Sequence, residues 1–197
     1  DGNIVAIGAP YNDGGGNQSG HVRIFEKIGG VWTQIGQDID GADQTNNCGW
    51  SVSLNGSGNI VALGSPYFNG INGGFSGHVR IYENIGGSWT QIGQDIEGEA
   101  FDDHSGTSVS LNNNGNIVAI GAPYNDGNWN ASGHVRIYEN IGGSWSQIGQ
   151  DIDGEAPADY SGTSVSLNNN GNIVAIGATG NDGNGYNSGS IDIYENI

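Results

Sequence analysis

The nine residues Gly115-Asn116-Ile117-Val118-Ala119-Ile120-Gly121-Ala122-Pro123 decide the fold, because the phrase recurs almost unchanged from Gly2, Gly58 and Gly171. The steps between copies are 56, 57 and 56 residues, so the chain of 197 residues is one internal repeat array running end to end. Outward from this phrase, one unit reads Ser-Val-Ser-Leu-Asn, then the nine residues, a Gly/Asn loop, Gly-His-Val-Arg-Ile-Tyr-Glu, and finally Gly-Gly-Ser-Trp-Thr-Gln-Ile-Gly-Gln-Asp-Ile. A repeat of this length cannot bury its own faces and must stack on its neighbours.

Asn116-Ile117-Val118-Ala119-Ile120 is apolar or small on both alternating faces, which predicts a strand covered on both sides. His134-Val135-Arg136-Ile137-Tyr138 and Ser108-Val109-Ser110-Leu111 alternate apolar with polar residues and predict two-faced strands. Asn-Asn-Asn-Gly and Ile-Gly-Gly-Ser between them are turn sequences, so consecutive strands are expected to pair as antiparallel hairpins, with no helix. The fold class that follows is all-β: tandem four-stranded antiparallel blades of a β-propeller-like array. The units run over about 1-48, 49-104, 105-160 and 161-197. Counted by phrase there are three first, four second, four third and three fourth strands, about 3.5 repeats. The first unit lacks its first strand and the last lacks its fourth, so each end is expected to expose an uncovered face or edge.

The chain resembles the FG-GAP repeat, the blade of the integrin α-subunit β-propeller. Gly8-Ala9-Pro10 and Gly121-Ala122-Pro123 carry the Gly-Ala-Pro half of its signature, with Gly64-Ser65-Pro66 and Gly177-Ala178-Thr179 as variants. The Phe-Gly half reads Cys48-Gly49, Ser105-Gly106 and Ser161-Gly162, without the aromatic residue. The acidic calcium loop that the resemblance implies is replaced by Asn55-Gly56-Ser57-Gly58, Asn112-Asn113-Asn114-Gly115 and Asn168-Asn169-Asn170-Gly171, so family-style metal binding is not expected.

Twenty-one acidic and four basic residues give a net charge of −17, which repels nucleic acid and anionic lipid. No apolar run is long enough to span a bilayer. Asp1 in first place and the absence of Met predict a processed product or an excerpt of a longer polypeptide. The lone Cys48 stands where later units have Ser105 and Ser161, and reads as a small buried filler.

His21, His78 and His134 recur at one position per unit, so symmetry would spread them apart rather than gather them on one metal; each is expected to hydrogen-bond a turn. His104 is a loop singleton. Arg23, Arg80 and Arg136 are expected to form ion pairs with a neighbouring blade's carboxylates, and the acids from Asp95 to Asp103 and from Asp151 to Asp159 to be solvated loops. Trp32, Trp89 and Trp145 open the fourth strands and read as blade packing. Phe75, Trp129 and Tyr186 lie in the variable loops, where recognition usually resides. Asn17, Asn55 and Asn130 open N-glycosylation sequons.

No nucleophile elbow, zinc-protease motif or phosphate loop is present, so no catalytic, cofactor or metal residue is assigned. The expectation is a non-catalytic, extracellular or cell-surface structural protein that associates with copies of itself through its incomplete end blades, as a ring or a filament. The alternative is an adhesion or glycan-recognition module that uses the variable loops.

Overall fold

In the computed structural model, which describes residues 2–41 and 44–195, the chain is a stack of four antiparallel sheets without helices. The first sheet contains β1 (Ile4–Ala9), β2 (His21–Ile28), β3 (Val31–Gln34) and β4 (Ile39–Asp40). The second contains β5 (Ser51–Leu54), β6 (Ile60–Ser65), β7 (His78–Ile85), β8 (Ser88–Gln91) and β9 (Ile96–Glu97). In the third, β10 (Ser108–Leu111), β11 (Ile117–Ala122), β12 (His134–Ile141) and β13 (Ser144–Asp153) follow in order. The fourth has β14 (Ser161–Leu167), β15 (Ile173–Ala178) and β16 (Ser190–Glu195).

These are the blades that the repeat predicts, and β6 and β11 are the doubly covered middle strands. One detail differs. The fourth strand is continuous only in the third blade; in the first two it divides into β3 plus β4 and β8 plus β9, both pieces pairing with the same neighbour. The break falls at Ile35-Gly36-Gln37 and Ile92-Gly93-Gln94, and its cause is the following blade. Trp89 inserts against Gly36 and donates its indole N–H to Ile35 O at 2.9 Å, while the Gln37 amide accepts from Trp89 N (3.1 Å) and donates to Trp89 O (2.8 Å). Trp145 repeats this clamp on Ile92, Gly93 and Gln94, with an indole bond of 2.9 Å. Gly93 lies at φ 73°, and a Cβ there would sit 2.6 Å from the Trp145 ring, so both the backbone shape and the space require glycine.

Three apolar layers fill the gaps between the four sheets. Val22, Ile24 and Ile39 meet Val61, Leu63 and Trp89; Val79, Ile81 and Ile96 meet Val109, Leu111, Val118 and Trp145; Val135 and Ile137 meet Val174 and Ile176. The first-strand serines stitch the blades where β5, β10 and β14 pack side by side. Leu111 N donates to Ser53 Oγ and Leu167 N to Ser110 Oγ, both at 2.9 Å, and Ser51 and Ser108 donate across to Gly106 O and Gly162 O. Cys48, Ser105 and Ser161 are buried bridges to Gly20, Gly77 and Gly133, as their filler reading requires.

Among the described residues no strand of the first sheet pairs with one of the fourth, so the sheets form an open array. Trp32 is 47% exposed against 4% for Trp89 and 3% for Trp145, and Ile191 and Ile193 are exposed where the equivalent Val135 and Ile137 are buried. A cavity of about 470 Å³ beside Ile148, Gly149, Gln150 and Tyr194 is the third copy of the tryptophan socket.

This packing sets a ranking of tryptophans. Replacing Trp89 or Trp145 by Ala is expected to cost about 3–5 kcal/mol in urea unfolding. Trp32→Ala, with the same chemistry at an exposed end, is expected to cost less than about 1 kcal/mol.

Candidate functional site

Each variable loop after the Ala-Pro or Ser-Pro turn begins with an aromatic residue in the first three units, Tyr11, Tyr67 and Tyr124. The blades bring these rings into one row with residues of the inter-blade connections. Tyr11 meets Trp50 (centroids 6.3 Å apart), Trp50 meets Tyr67 (5.1 Å), Tyr67 meets His104 (5.0 Å), His104 meets Tyr124 (4.7 Å) and Tyr124 meets Tyr160 (5.4 Å). Phe75 packs edge-on against both Tyr67 and His104. Burial first, then the neighbouring Tyr11 and Tyr124 phenols, raise the Tyr67 hydroxyl above its ordinary pKa, so it stays protonated as a donor.

His104 sits at the middle of this row. Its Nε2 lies 3.0 Å from Asp102 Oδ1, and its side chain is 15% exposed while that of Asp102 is 55% exposed. The loop is held from both sides: Asp102 N donates to Gly74 O, His104 N to Phe75 O, and Thr107 donates from N and Oγ1 to His104 O. Asp102 and His104 have φ of 68° and 55°, values shared with Thr45 and Asn47 in the preceding connection and with Ala158 and Tyr160 in the following one. The strained turn therefore belongs to the repeat, whereas the imidazole–carboxylate pair is peculiar to this copy. Next to the pair, a pocket of about 370 Å³ is lined by Phe101, Asp102, Tyr124, Asp126, Asn130 and Tyr160. Asp126 accepts from Ala131 N at 2.7 Å and so faces the pocket with a fixed carboxylate. A second pocket of about 380 Å³ lies across Tyr124 and Tyr160, beside Thr107, Thr163 and Thr179.

The other sequence candidates separate. Phe75 belongs to the row, whereas Trp129 and Tyr186 are exposed and stack on no ring among the described residues. Asn55 is not a free acceptor: it is buried, its Nδ2 donates to Ser57 and Asn59, and its Oδ1 accepts from Ile60 N. Asn17 and Asn130 are exposed. The arginine ion pairs exist, but their partners are the blade's own acids fifteen residues on. Arg23 pairs with Asp38, Arg80 with Asp95 and Arg136 with Asp151, and among the described residues only Arg136 also reaches a neighbouring blade, at Glu99. The hairpin between third and fourth strands brings each pair together across one sheet. Asp38, Asp95 and Asp151 are thus anchored, and Asp103 and Asp159 are buried acceptors of backbone N–H groups, so these acids are not solvated loops.

His78 and His134 are not hydrogen-bonded to a turn. Their Nδ1 atoms are buried, face Asp95 and Asp151 at 3.8 Å, and have no hydrogen-bond partner. Burial pushes both imidazoles below the ordinary histidine range, helped at His78 by the Arg80 charge and opposed by the aspartates, so both are neutral near pH 7. As expected from their equivalent places, the histidines do not converge on one site.

Neither a family model nor any curated protein sequence matches the chain. Solved structures do. A periplasmic gluconolactonase from Pseudomonas aeruginosa superimposes with a TM-score of 0.59 at 15% identity, over 98% of this chain and 49% of its own. A Bacteroides uniformis protein provisionally named a 6-phosphogluconolactonase gives 0.58 at 12% identity, over 89% and 44%. Hydrazine synthase from Kuenenia stuttgartiensis gives 0.52 at 12% identity, over 88% and 51%. The chain thus shares a propeller-like fold with these proteins and spans about half their length. These neighbours correct the expectation of a non-catalytic structural, filament-forming or adhesive protein. The same blade array carries enzymes, two of them named as lactonases, so a repeat of short two-faced strands is no mark of a purely structural role.

In a glycosylating expression host, mass spectrometry of tryptic and chymotryptic peptides is expected to find glycan on Asn17 and Asn130 and none on Asn55.

Proposed function

We propose that this chain supplies the blade array of a propeller hydrolase that opens the ring ester of an uncharged sugar lactone, with His104 as general base. The observation that carries this reading is the His104–Asp102 pair set within the aromatic row. With Nε2–H donated to Asp102, the lone pair of the imidazole lies on Nδ1. A water attacking the lactone carbonyl gives its proton to Nδ1 as the new C–O bond forms. When the tetrahedral intermediate collapses, the ring C–O bond breaks and the same proton passes from Nδ1 to the departing alkoxide, leaving a hydroxy acid. Asp102 holds the ring in the competent tautomer and offsets the imidazolium charge between these two transfers.

The tyrosines supply what a sugar ring needs: faces for its C–H groups and hydroxyl donors at their rims. Charge then narrows the substrate. The pocket walls carry Asp102 and Asp126 and no basic residue, and the three arginines are each paired with an aspartate elsewhere. A phosphorylated lactone would be repelled, whereas a neutral lactone enters freely and its carboxylate product is driven out.

The fold shared with two proteins named as lactonases supports this chemistry. The periplasmic setting of one of them, the acidic composition and the exposed sequons support a place outside the cytoplasm, at the cell surface or beyond. The Gly-Ala-Pro turns support kinship of the repeat with FG-GAP blades.

Proton release from glucono-δ-lactone, followed in a pH-stat with the spontaneous rate subtracted, tests the reading. The wild-type chain is expected to exceed the spontaneous rate; His104→Ala is expected to lose at least about a hundredfold of that excess, and Asp102→Asn a smaller part. No excess rate, or an excess that His104→Ala retains, would overturn it.

A further inference from the structure

Among the described residues, five buried side-chain polar atoms have no hydrogen-bond partner, and two of them are the same atom, Nδ1 of the repeated histidine, in two blades. His78 Nδ1 and Glu97 Oε2 lie together in the second blade, within one group of ligand atoms; His134 Nδ1 is the same histidine atom one repeat later, and Ser132 Oγ is the fourth. The fifth, Asn46 Nδ2, stands apart. Native proteins leave few such atoms unpaired, because each gives up its hydration without return. An orphaned imidazole nitrogen at the same position of two repeats points to a partner of one kind.

The backbone builds the second-blade cluster directly. Antiparallel pairing of β7 with β9 sets His78 opposite Glu97, and Asp95 stands immediately before β9 with Oδ2 3.8 Å from His78 Nδ1. The His78 ring is 2% exposed and packs at 4.0 Å on Phe68, which fixes its plane. One ligand atom each from His78, Asp95 and Glu97 lies within 4.8 Å of the other two. In the third blade Asp153 holds the repeat position of Glu97, and the set around the equivalent histidine is His134, Asp151 and Glu99, with His134 Nδ1 at 3.8 Å from Asp151 Oδ2 and 3.9 Å from Glu99 Oε2. Glu99 arrives from the preceding blade, so this cluster also joins two blades.

We propose that these clusters are two binding sites for a first-row divalent cation of the zinc class: His78, Asp95 and Glu97 in one, and His134, Asp151 and Glu99 in the other. The separations are too long for hydrogen bonds. Ligands held about 2.0–2.2 Å from a tetrahedral Zn²⁺ stand roughly 3.4 Å from one another, so a small carboxylate rotation closes each set. An imidazole nitrogen with two carboxylates suits a borderline ion, whereas Ca²⁺ takes six to eight oxygens. Two carboxylates against one guanidinium leave each site with a net negative charge. Arg80 and Arg136 hold the shared aspartates in place, as outer-shell donors commonly hold metal ligands. The first blade has the related set His21, Asp38 and Asp40, but Asp40 is exposed and none of the three has an orphaned atom. Two ions per chain are therefore expected, not three. His78, Glu97, His134 and Asp151 lie on strands, Asp95 and Glu99 on the segments either side of β9, and neither site includes Asp102 or His104.

The test is stripping with a chelator, titration with Zn²⁺, gel filtration and elemental analysis of the protein peak. The wild-type chain is expected to retain two Zn²⁺, unchanged by excess Ca²⁺. Glu97→Gln, which keeps volume and shape, and His78→Ala are each expected to retain one, and His78→Ala combined with His134→Ala none, with circular dichroism confirming folded variants. Replacing Zn²⁺ by Co²⁺ is expected to give visible d–d absorption that halves in Glu97→Gln. No retained zinc, or zinc that these variants leave unchanged and therefore belongs to the general acidic surface, would overturn the proposal.

Discussion

The clamp between a tryptophan of one blade and the Ile-Gly-Gln kink of the blade before it is the interaction on which the remaining structure depends. Each blade is too thin to enclose a core, and its two faces gain stability only against a neighbour. The serine stitches fix the blades at one side, but Trp89 and Trp145 fix how far each turns on the next. The indole reaches across the apolar layer to a carbonyl that the glycine kink frees from the ladder, and the glutamine amide pairs with the tryptophan backbone as a further strand would. Glycine, glutamine and tryptophan in the fourth strand are thus parts of one joint, and the split of that strand is the joint seen from the preceding blade.

Because the joints set the pitch of the array, they also set the spacing of the loops. The aromatic row runs from the first blade to the connection that leads into the fourth, and its contacts of about 5–6 Å exist only because each tyrosine is carried on a turn of the same shape and each connection makes the same positive-φ bend. A repeat gives a scaffold of equivalent places; chemistry enters where one copy departs from the others. His104 and Asp102 occupy positions held by asparagine and threonine in one copy and by tyrosine and alanine in the other.

This explains which parts were readable from the chain. Ile117–Ala122 between its turn signals predicts a central strand on sight, and the buried tryptophans and the Cys48 filler follow from their place in the repeat. Three things were not readable, each for a physical reason. Arg80 and Asp95 are fifteen residues apart, so alignment of units cannot tell a partner in the same hairpin from one in the next blade. Asn55 carries the sequon pattern, yet its side chain closes its own turn, and a pattern of three residues does not report that. His104 occurs in one copy alone, and repetition favours what recurs. Its signal was the adjacent Asp102, two residues away in a loop that must cross between blades beside Pro-Tyr turns.

On the proposed reading, catalysis lies on the aromatic loop row, at His104, and not on the strands. A crystal structure of the chain soaked with gluconolactam, a stable analogue of the lactone, addresses this most directly. The sugar ring is expected stacked against Tyr124 and Tyr160, with its carbonyl carbon facing His104. A ring bound at any other surface, or a row left empty at saturating analogue, would contradict it.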